Sequence, residues 1–183
     1  MTTTATTSPP DATPGTPSST DHAKYFRKAL GDVTPNNMGQ IKAVNLVLFP
    51  VKYSDEFYKA ALQVGEFAKL AYFNDVCVGG VICVKQADKE TGANRLYIAT
   101  LGVLAAYRRL GLGTMLLDHV LRQAALAKDK QKISEVYLHV QTTNEDALEF
   151  YKHRGFEVTS TEEGYYKQGP DPNAYVLTKK IAA

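Results

Sequence analysis

Residues 95–114 read RLYIATLGVLAAYRRLGLGT: alternating apolar positions up to Val103, a short connection, and then Arg108-Arg109-Leu110-Gly111-Leu112-Gly113-Thr114 opening a helical repeat. A strand followed by two glycines one residue apart at a helix start lets successive backbone N–H groups point at one anion. The helix dipole adds partial positive charge there. The turn suits a pyrophosphate. It lacks the Gly-Lys-Ser/Thr of a nucleoside-triphosphate loop, and Leu116 stands where the third glycine of a dinucleotide fingerprint would fall. The same pattern is also compatible with a helix N-terminus whose glycines serve only tight packing.

Downstream of this turn, the periodicity predicts a helix over 113–128, a strand over 134–140 and a helix capped by Asn144 that runs to Arg154 and stops at Gly155. Strands over 156–161 and 174–179 follow. Upstream, strands are expected over 29–33, 67–73 and 76–85, the last two joined at Asn74-Asp75. Helices are expected from Thr34-Pro35 to Pro50 and over 55–64. The order β α α β β β α β α β β is a mixed α/β (α+β) arrangement around one sheet.

Period-two alternation puts Tyr97, Ala99, Leu101 and Val103 on one strand face, and Tyr137 and His139 on one face of YLHV. If the two strands are neighbours, a phenol and an imidazole share a cleft, and imidazole is the usual general base near neutral pH. A strand histidine with no such neighbour is structural. His22, His119 and His153 sit in the tail, a helix and a helix end, and none reads as catalytic. Asn144 and Tyr151, seven apart, lie on one helix face. By themselves they read as an N-cap and a half-buried aromatic. Phe49-Pro50-Val51-Lys52-Tyr53 and Gly164-Tyr165-Tyr166-Lys167 are aromatic-rich irregular segments, suited either to a tyrosine-lined peptide groove or to the edge of the core.

The 183 residues carry 21 Lys plus Arg against 19 Asp plus Glu. Fifteen of residues 1–20 are Ser, Thr or Pro, so a disordered tail is expected over 1–22 and one domain over 23–183. The tail holds two acids, Asp11 and Asp21, and no bases, which leaves the domain at 21 minus 17, or +4. That charge is too small to argue for nucleic acid. No apolar run approaches the roughly 20 residues of a membrane span, and residues 1–22 resemble neither a secretory nor a mitochondrial leader. Cys77 and Cys83 fall in one strand about 20 Å apart, too far for a disulfide. No cluster has metal-ligand spacing. A reducing cytosol or nucleus is the default compartment.

Taken together, the turn YRRLGLGT, the strand ending LHV and the run NEDALEFYKHRGF resemble the GNAT superfamily of acetyl-CoA-dependent N-acetyltransferases. VLFPVKYSDEFY, FAKLAYFNDVCVG and the tyrosine pair extend the likeness to NatE-type N-terminal acetyltransferases over roughly residues 29–180. The resemblance implies a catalytic pair, Tyr97 and His139, acting through water on a substrate α-amino group. It implies that acetyl-CoA lies along Leu101 and Val103. Its pyrophosphate would be carried by Arg108, Arg109, Gly111, Leu112, Gly113 and Thr114, with Asn144 and Tyr151 alongside.

The Leu101 amide would hold the oxyanion, a contribution of about 3 to 4 kcal/mol, and Tyr151 would assist the leaving thiolate. Neither a metal nor an acyl-enzyme is implied. Phe49, Pro50, Val51, Tyr53, Ala99, Tyr165 and Tyr166 would line the slot for a peptide starting Met-Leu. The implied partners are nascent-chain N-termini and the ribosome-associated NatA complex, with its large auxiliary and catalytic subunits. Neither nucleic acid nor membrane is implied. Three positions depart from the family pattern: Ala99 for a usual Met, Gln168 and Gly169 for a basic and a bulky aliphatic residue, and Ala106 for Pro. The same fold could instead serve lysine side chains, or form a weakly active subunit whose role is binding.

Overall fold

Asn74 and Asp75 both adopt left-handed backbone (φ 46° and 67°), the requirement of a two-residue hairpin turn that matches strand twist. From this hairpin the sheet grows in both directions. The computed structural model describes residues 26–88, 92–167 and 171–181. The expected tail over 1–22 and the departures at Gln168 and Gly169 lie outside the described residues. The elements are β1 (Lys28–Asp32), α1 (Met38–Leu48), α2 (Asp55–Ala61), β2 (Ala68–Phe73), β3 (Val76–Ala87), β4 (Asn94–Val103), α3 (Leu112–Gln131), β5 (Ile133–Gln141), α4 (Glu145–Lys152), β6 (Glu157–Glu162) and β7 (Ala174–Lys180). Single 3₁₀ turns occupy Gly65–Phe67 and Ala105–Tyr107. The expected element order holds.

Helix boundaries differ: α3 runs on to Gln131, α4 stops at Lys152, and α1 and α2 depart further from expectation. Thr34-Pro35 does not open α1: Thr34 N–H donates to Asn37 Oδ1 (2.7 Å), a turn covers residues 35–37, and the helix begins at Met38. At its other end Phe49 is extended (φ −123°, ψ 137°), as a residue before proline must be. α2 stops at Ala61 instead of Val64, and Gly65 then turns left-handed (φ 58°) ahead of β2.

One seven-stranded sheet has the order β1-β2-β3-β4-β5-β7-β6. Every neighbouring pair is antiparallel except β4 with β5, which are parallel. α3 covers one face with Leu112, Leu116, Leu117, Val120 and Ala124, and α4 adds Leu148 and Tyr151 to the same core. Fully burying one such leucine is worth about 1.5 to 3 kcal/mol. α1 and α2 cover the opposite face, where Ile41, Tyr58 and Ala61 meet Leu70 and Ile82.

Two irregularities shape the middle of the sheet. The β4–β5 ladder runs only from Asn94↔Ile133 to Tyr97↔Tyr137. Beyond it, β4 stays with β3 as far as Val103, while β5 stays with β7 as far as Gln141. The two strands therefore fork, and one edge of β4 has no β5 partner from Ile98 onward. The second irregularity is a bulge: Ile82 pairs with Thr100 and Cys83 with Ile98, so Ala99 has no partner. The bulge corrects the period-two expectation. Leu96 and Ile98 face the α3 core, and after the extra residue Leu101 and Val103 face it too. Tyr97 points the other way. An inserted residue shifts the alternation by one, so the four residues do not share a face.

Candidate active site

The connection after β4 forms a concave turn. Arg109 (φ 62°) and Gly111 (φ 83°) are both left-handed, which turns neighbouring N–H groups toward one side. Gly111 is the N-cap of α3, and the first backbone bond into the helix runs from Met115 N–H to Gly111 O (3.0 Å). The N–H groups of Leu112, Gly113 and Thr114 are thus the donors a helix start leaves over. Arg108 is partly committed elsewhere, since its Nε donates to Val103 O at 3.0 Å. Among the described residues Arg109 pairs with Asp146, at 3.4 Å, with both side chains 88% exposed. Gly113 packs beside Phe150, where an added Cβ would sit 3.7 Å from the ring. Open β4 edge and donor-rich turn are continuous, and together they fit a long ligand with an amide-bearing arm and a diphosphate.

At the apex of the fork, the register Tyr97↔Tyr137 brings four rings together. Tyr97 lies 5.0 Å from Tyr137 and 5.5 Å from His139, centroid to centroid. Tyr165, arriving from the β6–β7 loop, stacks on His139 at 4.0 Å and 7°. The Tyr97 and Tyr165 hydroxyls share a 2.9 Å hydrogen bond. Burial, and then that bond, holds the Tyr97 phenol well above the ordinary range. Both ring nitrogens of His139 are buried without a hydrogen-bond partner among the described residues. Glu162 Oε2 is 3.3 Å from Nε2 but out of line for a hydrogen bond. Buried polar atoms are seldom left so, and two on one imidazole mark a place for water or a polar substrate.

Phe49 and Tyr53 contact edge to face at 6.3 Å, and Val51 is exposed. Tyr53 is near enough to Tyr165 and Tyr166 for their hydroxyls to perturb one another, and burial with those neighbours pushes Tyr166 up to about 12. The two aromatic segments thus lie within electrostatic range of each other. Tyr151 is buried between Phe150 and Phe156, and burial raises its phenol above the usual range. Asn144 Oδ1 accepts from Ala147 N–H at 3.2 Å, so one side of its amide is spent on the helix cap. His119 Nε2 donates to Glu66 O (3.0 Å), a structural role. Burial raises both cysteine thiols, which keeps them protonated.

Residues 36–156 match the Acetyltransferase (GNAT) family. The chain belongs to that family. Zebrafish (Danio rerio) N-alpha-acetyltransferase 50 is 50% identical over 155 residues, 85% of this chain and 89% of the relative. The Drosophila melanogaster "probable N-acetyltransferase san" is 47% identical over 152 residues, covering 83% and 80%. Among solved structures, Arabidopsis thaliana Naa50 bound to the bisubstrate analogue CoA-Ac-MVNAL matches with TM-score 0.75 and 49% identity, over 83% of this chain and 97% of that one.

Three side chains of this GNAT acetyltransferase were not singled out by sequence. Lys28 reaches from β1 to donate to Leu110 O (2.9 Å), placing an ammonium beside the anion turn. Arg154 donates to Thr114 Oγ1 and lies 4.1 Å over the Phe150 ring, adding a second cation behind the helix start. Glu162 faces His139. Lys28 and Glu162 depend on sheet order and strand register, for which local sequence carries no signal. Arg154 could have been found: four residues after Phe150, it closes a helix end whose other face holds Tyr151.

Proposed function

We propose that this protein is an N-terminal acetyltransferase. It transfers acetyl from acetyl-CoA to the α-amino group of peptides beginning with Met, of the Met-Leu type. The observation that carries the reading is the His139 imidazole, buried with neither nitrogen hydrogen-bonded among the described residues and ringed by Tyr97 and Tyr165 at the apex of the fork. The open β4 edge and the N–H groups from Leu112 to Thr114 fit the pantetheine arm and pyrophosphate, with Leu101, Val103 and Asn144 along the way. Acetyl-CoA supplies an activated thioester.

An α-ammonium has a pKa near 7.7 to 8.0, so a modest base suffices to free the amine. His139 takes that proton through a bridging water. The Tyr97 phenol keeps its own proton at neutral pH and therefore orients the water instead of ionising. The freed amine attacks the thioester carbonyl directly, the C–S bond breaks, and the Leu101 amide would receive the carbonyl oxygen. Tyr151, also protonated, is suited to donate a hydrogen bond to the departing sulfur. Neither thiol of this chain is poised as a nucleophile, which supports direct transfer. Phe49, Pro50, Val51, Tyr53, Ala99, Tyr165 and Tyr166 would receive the first residues of the peptide, and Ala99 leaves the Met slot wider than a Met there would. The same reading carries docking on the NatA complex at the ribosome and a cytoplasmic or nuclear location.

Turnover of a Met-Leu peptide is expected to collapse in both Tyr97→Phe and His139→Ala while acetyl-CoA still binds. Unchanged turnover in both sinks the assignment. Equal rates on Met-Leu and internal-Lys peptides would favour a lysine acetyltransferase. Absence of turnover across a peptide library, with NatA pull-down intact, would favour a binding subunit.

A further inference from the structure

Between β6 and β7, residues 171–173 touch both halves of the site. Asp171 is only 8% exposed, although it is charged. Its Oδ2 accepts from Thr142 Oγ1 (2.7 Å), Thr143 N–H (3.1 Å) and Thr143 Oγ1 (3.1 Å), all on the β5–α4 connection that leads directly into Asn144. Its Oδ1 accepts from Asn173 N–H (3.0 Å), and its backbone oxygen accepts from Gln141 Nε2 (3.1 Å). Thr142 N–H also donates to Asn173 O at 3.2 Å. On the peptide side, Gly164 N–H donates to Asn173 Oδ1 (3.1 Å) and Tyr166 N–H to Pro172 O (2.9 Å). These two bonds bracket Tyr165, the ring that stacks on His139.

We infer that Asp171 is a positioning residue: its carboxylate clamps the Tyr165–Tyr166 segment to the Thr142–Asn144 connection and so fixes the depth of the peptide slot relative to the cofactor groove. The inference rests on the reading of Tyr165 and Tyr166 as peptide-facing. A carboxylate is needed because four N–H and O–H donors converge on it and it presents acceptors only. Asparagine, of the same shape, would turn an amide NH₂ toward those donors. Bonds to a charged group are the strong ones, and losing them releases the segment.

In Asp171→Asn the peptide KM is expected to rise about ten-fold or more. Acetyl-CoA affinity measured by calorimetry should stay at the wild-type value, and amide hydrogen exchange at Gly164 and Tyr166 should quicken. The double variant Thr142→Val, Thr143→Ala removes the donors from the other side, leaves Asp171 in place, and should reproduce the same split. Unchanged exchange and peptide KM in both variants overturn the clamp, as does loss confined to acetyl-CoA or shared equally by both ligands. The exchange measurement needs no turnover. A wild-type protein that acetylates no Met peptide would therefore overturn the functional reading and still leave the clamp decided by exchange.

Discussion

The anion-binding turn of residues 108–114 follows the free end of β4, whereas the pocket around His139 sits at the apex of the fork; the first is local and the second is assembled from afar. In the turn, two left-handed residues and a helix start gather backbone N–H donors within seven consecutive positions. At the apex, β4 contributes one ring, β5 two and the β6–β7 loop one, with Tyr97 and its hydrogen-bond partner Tyr165 lying 68 positions apart. Backbone donors are cheap to place, because any helix of the right address supplies them. A general base must be desolvated and ringed by partners, which only tertiary structure can arrange.

His139→Ala tests the comparison at its steepest point. Loss of general-base help should lower kcat for a Met-Leu peptide by about 10² to 10⁴, with acetyl-CoA binding intact. On the other side, Gly111→Val forces a β-branched residue into φ 83°, at a cost of about 1 to 2 kcal/mol. The KM for acetyl-CoA should rise roughly 5- to 30-fold while that for peptide holds, and a matching rise in both would erase the division between the two regions. Lys28→Ala is milder. Losing one exposed cation beside the turn should raise the acetyl-CoA KM a few-fold, and the difference should shrink as salt is added.

The smallest effect is on stability in acid. Hydrogen bonds from Thr142 and then Asn173 hold the Asp171 carboxyl below its usual range. A depressed folded-state pKa contributes stability above the ordinary carboxylate value of about 3.9, and that contribution disappears as pH falls through the lower folded value. The gap in denaturation midpoint between wild type and Asp171→Asn should therefore be constant near neutral pH and narrow below about pH 4.

The contrast also explains what could be read from the chain. Element order, the Asn74-Asp75 hairpin and the turn at Gly111 and Gly113 were legible because each depends on neighbours in sequence. So was the meeting of Tyr97 with His139, once the two strands were taken as adjacent. The fork was not, since nothing in RLYIAT marks where pairing with β5 ends. Nor was the bulge, because Ala99 fits a regular strand as well as an irregular one. The start of α1 was misplaced for a related reason: Thr34-Pro35 has good capping chemistry, but Asn37 Oδ1 spends its acceptor on Thr34 N–H and delays the helix by a turn. Lys28 and Glu162 became visible only when sheet order brought β1 to the anion turn and β6 to His139.

The unpaired Ala99 changes which residues of the strand face the α3 core: before it the even-numbered Leu96 and Ile98 do, and after it the odd-numbered Leu101 and Val103. β4 thus carries a reading frame. Removing that single residue would leave Leu96, Ile98, Leu101 and Val103 in regular alternation on the core side, whereas pairing Ala99 into a regular strand would swing Leu101 and Val103 to the opposite face.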